Sequence, residues 1–422
     1  MTTNNSAPNI KSSPQHAAMD QFLIVDNELQ IGGLPLTEVA ARAGQTPFYA
    51  YDRALMSERV SSLRQQLPDA IHLHYAIKAN PMPAVVQHLA QQTDGLDVAS
   101  LGELRVALDT GIEPQNISFA GPGKSNDDLT AAIAAGVIIN MESAGELDRI
   151  TRIANETGHR PRVAIRVNPD FELKTSGMKM GGGPKPFGVD AEKVPAMMQD
   201  VFARDLDFQG FHIFCGSQNL KAEAIIEAQT NTFELAQRLA ESAAAPIQWL
   251  NIGGGLGVPY FPGEERLELA PIADNLDKLL SEYHNSFGDS EIVMELGRHL
   301  VAEAGLYVCE VVDRKESRGE VFIVTNGGLH HHLAASGNFG QVIRKNYPVC
   351  VGNKVHPTSE EDQELVSIVG PLCTPLDILA NKVTLPKMQE GDLVVIYQSG
   401  AYGMTASPQG FLSHPAAVEV FC

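Results

Sequence analysis

Between about residue 47 and residue 300, short aliphatic runs alternate with amphipathic stretches, and this alternation narrows the possible folds more than any other feature of the chain. The apolar runs lie at Ile71 to Ile77, Ile117 to Phe119, Val137 to Asn140, Val163 to Val167, Phe211 to Phe214, Trp249 to Ile252 and Ile292 to Glu295. Stretches with helical spacing fall between them, at Leu101 to Asp109, Asp127 to Ala135, Ala144 to Thr157 and Ala222 to Ala244. Strands that follow one another only through helices lie parallel. About eight such units in roughly 250 residues favour a closed (β/α)8 TIM-like barrel over an open sheet. The site of such a barrel is the rim at the C-terminal ends of its strands.

Beyond about residue 300 the pattern changes to short β-rich runs separated by turns: Leu306 to Asp313, Val321 to Thr325, Leu365 to Val369 and Asp392 to Tyr397. These predict a second, mostly antiparallel β domain, for which a chain of 422 residues has room. Gln21 to Gly32 also reads as strands and is expected to pair with the C-terminal sheet. The β domain is then discontinuous, residues 20–46 plus 301–422, around a barrel of residues 47–300, with a polar, disordered lead-in over residues 1–19.

Composition removes several function classes. The chain is 44% hydrophobic and 19% charged, has no apolar run of the roughly 20 residues a span requires, and opens without the apolar core of a secretion signal. A cytoplasmic protein without a membrane partner is expected. Its formal charge of −20 argues against nucleic acid as a partner. The five cysteines (Cys215, Cys309, Cys350, Cys373, Cys422) show no CxxC spacing, which fits a reducing compartment and speaks against a disulfide framework or a zinc site. His330, His331 and His332 are adjacent, but on a strand they would point to opposite faces, and no acidic or cysteine partner lies at ligand spacing, so no metal is expected.

The segment His74 to Pro83, HYAIKANPMP, puts a lysine where a strand ends, because Asn80, Pro81 and Pro83 stop the run within a few residues of Lys78. At the rim of a barrel, a desolvated lysine can have its pKa lowered enough to form a Schiff base. NIGGGLG, residues 251–257, places Gly253, Gly254 and Gly255 at another strand tip, where bare backbone can ring an anion such as phosphate. ELGRHLVAEAG, residues 295–305, puts Glu295 at a strand end with Arg298 three residues on. A carboxylate there needs a cation, either Arg298 itself or the protonated nitrogen of a pyridine ring. In HIFCGSQ, residues 212–218, His212, Ser217 and Gln218 can hydrogen-bond a ligand.

Taken together these blocks resemble the fold-type III pyridoxal-phosphate decarboxylases, the group that includes the diaminopimelate, ornithine and arginine decarboxylases. The resemblance runs from residue 20 to 422 and also uses DVASLGELRVAL (97–108), FAGPGKSNDDL (119–129), MESAGELDRI (141–150), GPLCTPLD (370–377) and SGAYGMTAS (399–407). Within the family the chain is most similar to diaminopimelate decarboxylases, and more so to a branch associated with exosortase and carrier-protein pathways, whose glycine-rich insert it shares at Ser176 to Gly188. The resemblance implies a pyridoxal 5′-phosphate cofactor held covalently by Lys78, with Glu295 on the pyridine nitrogen. It assigns the phosphate to Gly253, Gly254 and Gly255, with Ser217 and the hydroxyl of Tyr402, and counts His212, Phe214 and Gly297 among the other cofactor-binding residues. Arg298 would lie beside the phosphate or grip a substrate carboxylate. Cys373 would reach the site from the neighbouring subunit of a homodimer and would reprotonate the α carbon, with Lys78 as the alternative donor.

Three departures bear on substrate. Phe214 stands where a histidine commonly stacks on the cofactor ring, so stacking is kept and a polar contact is lost. Thr374 follows Cys373 where diaminopimelate and ornithine decarboxylases carry an acid for the distal amino group of the substrate, and a neutral hydroxyl cannot replace a charge-assisted bond worth roughly 1.5–3 kcal/mol. In GFLSHP, residues 410–415, Phe411 and His414 stand near positions of a tyrosine and an arginine. The reaction implied is α-decarboxylation of an L-amino acid, with Arg298, Arg344, Thr374 and Phe411 facing the substrate. That substrate is either a free dibasic amino acid such as diaminopimelate or an acidic or carrier-tethered one. A non-catalytic cofactor-binding homologue and an amino-acid racemase are the rival readings.

Overall fold

A computed structural model describes residues 14–172, 178–179 and 181–422. Eight strands close into a parallel barrel: Ile71–Ala76, Gly95–Val98, Ile117–Phe119, Ile138–Met141, Arg162–Asn168, Asp207–Ile213, Trp249–Gly254 and Glu291–Leu296. They pair in sequence order, the fourth with the fifth and the last with the first, so the sheet has no open edge. Helices Leu101–Asp109, Asn126–Ala135, Ala144–Thr157 and Ala222–Ala240 cover the outside. Three of these start on a serine, Ser100, Ser125 and Ser143, whose hydroxyl accepts a bond from the backbone three residues on. Gly95–Val98 has no aliphatic run, since Asp97 interrupts it, yet it is fully buried between its neighbours.

Inside the barrel the strands alternate, and one layer is apolar. Ile138, Ala164, Trp249 and Val293 form their own buried cluster there, apart from the larger core under the helices. Gly210 is needed at this level, because a Cβ on it would sit 1.9 Å from the Trp249 carbonyl oxygen.

The second domain is built on the long strand Gly305–Ser317, whose first half pairs with Leu393–Ile396 and whose second half pairs with Glu320–Thr325, all antiparallel. Phe48–Tyr51, expected at the head of the barrel, belongs here instead, between Gly305–Ser317 and Val418–Phe421. All four of its residues are buried, and the aligned edge of Gly305–Ser317 satisfies its backbone as no barrel strand does. This pairing makes the β domain discontinuous. The strands near residues 21–32 do not join the C-terminal sheet as expected. They form a separate three-stranded antiparallel sheet, Ile24–Val25, Glu28–Ile31 and Leu34–Pro35, tied to it by single bonds such as Leu29 N to the Gly352 carbonyl at 2.8 Å. Of the lead-in, residues 1–13 lie outside the described residues, while from Pro14 on the chain lies against the body, the Gln15 carbonyl accepting from Gly263 N at 2.8 Å. Among the described residues no helix is long and apolar enough to cross a membrane.

Candidate functional site

The C-terminal strand ends bring a ring of polar side chains to one rim. Ile71–Ala76 runs into a single 3-10 turn, Ile77–Ala79, and this turn swings Lys78 over the barrel mouth. The Asn80 side chain fixes it by donating to the Gly400 carbonyl at 3.0 Å and accepting from Met82 N at 3.1 Å. Two adjoining cavities share Ala76, Lys78 and Glu295. The smaller is walled by Phe214, Ser217, Gly255, Gly297, Arg298 and Tyr402. The larger, about 220 Å³, is walled by Asp97, Gly121, Arg166, Phe187 and His212 among others.

Glu295, at the end of the last barrel strand, is 7% exposed. Its Oε2 lies 2.9 Å from His212 Nε2 and accepts from Asn251 Nδ2 at 3.2 Å. Burial pushes the carboxyl up, but His212, Lys78 and Arg166 outweigh it and hold Glu295 ionised well below the usual carboxylate range. His212 Nε2 thus faces the Glu295 carboxylate, while its Nδ1 has no hydrogen-bond partner. Arg298 turns away from Glu295. Its Nη1 donates to the Tyr260 hydroxyl at 2.9 Å, and its guanidinium lies 4.6 Å from the Tyr402 ring centre. The small cavity therefore has a cation at one end and the large one shares a carboxylate with it.

The titration of Lys78 differs from the sequence expectation. Desolvation pulls its pKa down, but the Glu295 carboxylate and Tyr402 more than offset this, and the net shift is upward. Lys78 nonetheless keeps an exposed side chain at the mouth, 5.8 Å from the Phe214 ring centre. Attack on an aldehyde thus requires the lysine to lose its proton to a neighbour rather than to start neutral.

The glycine run is shaped by close approach. A Cβ at Gly254 would lie 2.1 Å from the Glu295 carbonyl oxygen, and one at Gly255, with φ +74°, 2.3 Å from that of Gly216. Gly253, with φ +71°, turns the chain against Phe214 but does not itself line the cavity. Backbone bonds between Asn219 and Gly255 and between Gly257 and Asn219 lock the turn onto the loop carrying Ser217.

Several site residues were not legible from the sequence. Arg166 is held by Glu142, whose Oε1 takes its Nη1 at 3.0 Å while also accepting from Gly121 N at 2.6 Å; Oε2 accepts from Gly188 N at 3.1 Å. Phe187 lies against Arg166, 5.0 Å from ring centre to guanidinium carbon. Asp97 accepts from Ser118 Oγ at 2.5 Å. Ser176, Gly177 and Met180 of the glycine-rich insert lie outside the described residues. Met178–Lys179 pairs with Gly216–Ser217, and Gly182 N donates to Asn168 Oδ1 at 3.1 Å.

Of the predicted substrate residues Arg298 lines the smaller cavity, but Arg344, Thr374 and Phe411, and the predicted proton donor Cys373, do not reach either cavity within one chain. Arg344 donates to the Ile378 carbonyl, Thr374 Oγ1 accepts from Leu376 N at 3.3 Å, Cys373 is exposed, and Phe411 is 45% exposed. All four sit in β-domain loops, where Phe339, Val342, Ile343, Leu376 and Leu412 are also exposed. The histidine triplet lies in turns rather than on a strand. His332 Nε2 meets Ser399 Oγ at 2.9 Å and His331 Nε2 meets the Pro415 carbonyl at 2.8 Å. Among the described residues no cluster of three or more His, Cys, Asp or Glu could hold a metal ion.

Residues 53–302 match the family described as "Pyridoxal-dependent decarboxylase, pyridoxal binding domain". The chain is 39% identical over 381 residues to the L-glutamyl-[BtrI acyl-carrier protein] decarboxylase of Niallia circulans, covering 89% of this chain and 88% of that one. It is 33% identical over 402 residues to the diaminopimelate decarboxylase of Aquifex aeolicus, covering 94% and 90%. The crystal structure of diaminopimelate decarboxylase from M. jannaschii in complex with L-lysine superposes with a TM-score of 0.84 at 26% identity, over 96% of this chain and 93% of that one.

Burial lowers the pKa of His332 from 6.5 to about 3 and that of His330 to about 4, His330 also feeling His331 and His414. A histidine whose folded pKa is depressed binds more protons when unfolded, so its contribution is complete above pH 6.5 and is lost as pH falls towards the folded value. Denaturant unfolding should show stability dropping from pH 6.5 to 4, with a shallower slope in His332→Asn; an unchanged slope would contradict the assignment.

Proposed function

The chain belongs to the pyridoxal-dependent decarboxylases, and on that premise we propose that it removes the α-carboxylate of an L-amino acid, with a carrier-protein-tethered glutamyl group as the best-supported substrate. Bound at this rim, pyridoxal phosphate supplies the electron sink that accepts the electrons of the breaking bond. Lys78 would anchor its aldehyde. The residues present fit the cofactor, because an unpartnered His212 Nδ1, an unpartnered Arg298 Nε and the Gly255 turn all surround the paired cavities.

Each role follows from what a side chain can do. Glu295, kept ionised, would hold a proton on the pyridine nitrogen. Arg298, Ser217, Gly297 and Tyr402, with the turn of Gly253, Gly254 and Gly255, would take the phosphate; the contact of Arg298 with Tyr402 supports the phosphate end over a substrate carboxylate. Phe214 would lie against one ring face, and His212 would sit near the Glu295 end. Cys373 or Lys78 would deliver the proton to the α carbon.

The single observation that carries the substrate reading is Thr374. No carboxylate stands at that position to receive a distal ammonium, and its hydroxyl is engaged with the Leu376 backbone. The 39% identity to the carrier-protein enzyme points the same way. Free diaminopimelate is the second reading, supported by the Aquifex relative. Arg344, Thr374, Phe411 and Cys373 would complete the pocket from the second subunit of a homodimer, and the exposed apolar loops around them support that assembly. Five free cysteines support a reducing, cytoplasmic setting.

Carbon dioxide release should be fastest from a glutamyl thioester on a carrier protein, and much slower from free glutamate, diaminopimelate, lysine, ornithine or arginine; fastest release from diaminopimelate would reverse the two readings. If Cys373 delivers the proton from the partner subunit, mixing inactive Lys78→Ala and Cys373→Ala subunits should restore about one quarter of wild-type activity, since half the dimers are mixed and each holds one intact site. No recovery from two inactive variants would place Cys373 in its own subunit's site, and an active Cys373→Ala would leave Lys78 as the donor.

A further inference from the structure

Below the Lys78 cavity, and reaching it through Asp97, the barrel interior carries a column of titratable side chains to which the reaction proposed above gives no role. Asp97 walls the cavity and is 8% exposed, and its Oδ2 has no hydrogen-bond partner. Its Oδ1 lies 3.4 Å from Nδ1 of His74, which is 1% exposed. On the other side of that ring, Nε2 lies 3.7 Å from Glu291 Oε1, and the same oxygen lies 3.5 Å from His72 Nδ1. Glu291 opens the eighth barrel strand and His72 is the second residue of the first, and their side chains are 35% and 44% exposed. The column thus runs from the cavity to solvent at the opposite end of the barrel.

We propose that Asp97, His74, Glu291 and His72 form a proton path through the barrel, which resupplies the proton that each decarboxylation consumes. The balance requires such a supply. The bond from Cα to the carboxylate breaks, carbon dioxide leaves, and the electron pair left on Cα takes up one proton, so every turnover removes one proton from the protein. If Lys78 delivers it, Asp97, which acts on Lys78 through its charge, is placed to return one; His74 then recharges Asp97, and Glu291 and His72 recharge His74 from water. A carrier-borne substrate seated in the mouth would close the direct route from solvent, which makes a rear route useful. The inference rests on the decarboxylase reading with Lys78 as donor.

Two features separate this column from an ordinary buried ion pair. Gly95, on the neighbouring strand, leaves a slot for the imidazole, since a Cβ there would lie 2.3 Å from His74 Nε2. The rest of the layer is the apolar cluster of Ile138, Ala164, Trp249 and Val293, so the polar column is confined to one side. The 3.4 Å contact of His74 with Asp97 is a long hydrogen bond, and the 3.5–3.7 Å spacings beyond it are closed by small ring movements or a bridging water. Charge favours storage of a proton. Burial pulls His74 down, but Asp97 and Glu291 outweigh it and raise its pKa to about 9, with Arg162 facing Glu291 and Lys78 facing Asp97 as the other charged neighbours.

The test is steady-state kinetics of the cofactor-loaded enzyme with His74→Phe, and with Glu291→Gln at the exposed end in case the first variant fails to fold. Both should keep the visible absorbance of the bound cofactor and a KM within about twofold, while kcat falls about tenfold or more. In the wild type kcat should decline above about pH 9, and this limb should vanish in His74→Phe. Unchanged turnover in both variants, or a high-pH limb that persists in His74→Phe, would overturn the path. A wild-type chain that binds no cofactor at Lys78 would instead overturn the reading beneath it.

Discussion

A carboxylate held ionised inside the barrel rim is the constraint on which the rest of the site depends. Glu295 is almost fully buried, and an isolated charge in that position would protonate or unfold the strand end. It persists because His212, Asn251, Lys78 and Arg166 surround it. Removing one partner of such a buried pair typically costs about 3–5 kcal/mol, whereas an exposed pair such as Arg152 with Glu156 contributes about 0–1 kcal/mol. The geometry of the rim is therefore set by the buried set. The same carboxylate raises the pKa of Lys78, so one charge both favours a cation beside it and sets the proton balance of the amine proposed to anchor the cofactor.

The barrel supplies this set by a simple rule of alternation. Asp97, Asn140, Arg166, His212, Asn251 and Glu295 each occupy a late inward position on a different strand, and a closed sheet brings those positions together. One layer below, Ile138, Ala164, Trp249 and Val293 exclude water over part of the interior, while His74 continues the polar side downward. The interior is therefore polar along one wall and apolar along the other. Glu142 shows how neighbouring loops are tied in, since its two oxygens join Arg166 to the backbone at Gly121 and Gly188.

The chemistry-bearing ends of the strands were legible because turn residues mark them. Asn80 and the prolines fix where the Lys78 strand stops, the glycines fix the turn after Trp249, and Glu295 is conspicuous as an acid at the end of an aliphatic run. Asp97 lies in a segment too short of aliphatic residues to read as a strand, and Arg166 lies inside a strand-like segment, where a single polar residue reads as the solvent face of an alternating pattern. In a closed barrel that face is the interior, and the recurrence of a polar residue at the ends of six strands was the available signal. Phe48–Tyr51 was misassigned for another reason. Its pairing with Gly305–Ser317 and Val418–Phe421 joins segments far apart in the chain, which local pattern cannot register.

The central claim is that Lys78, poised against Glu295, carries the cofactor covalently. Borohydride reduction of the loaded protein, followed by digestion and mass spectrometry, tests it most directly. The account predicts a pyridoxyl phosphate group fixed on the peptide containing Lys78. A label on another lysine, or none on a loaded and active protein, would contradict it.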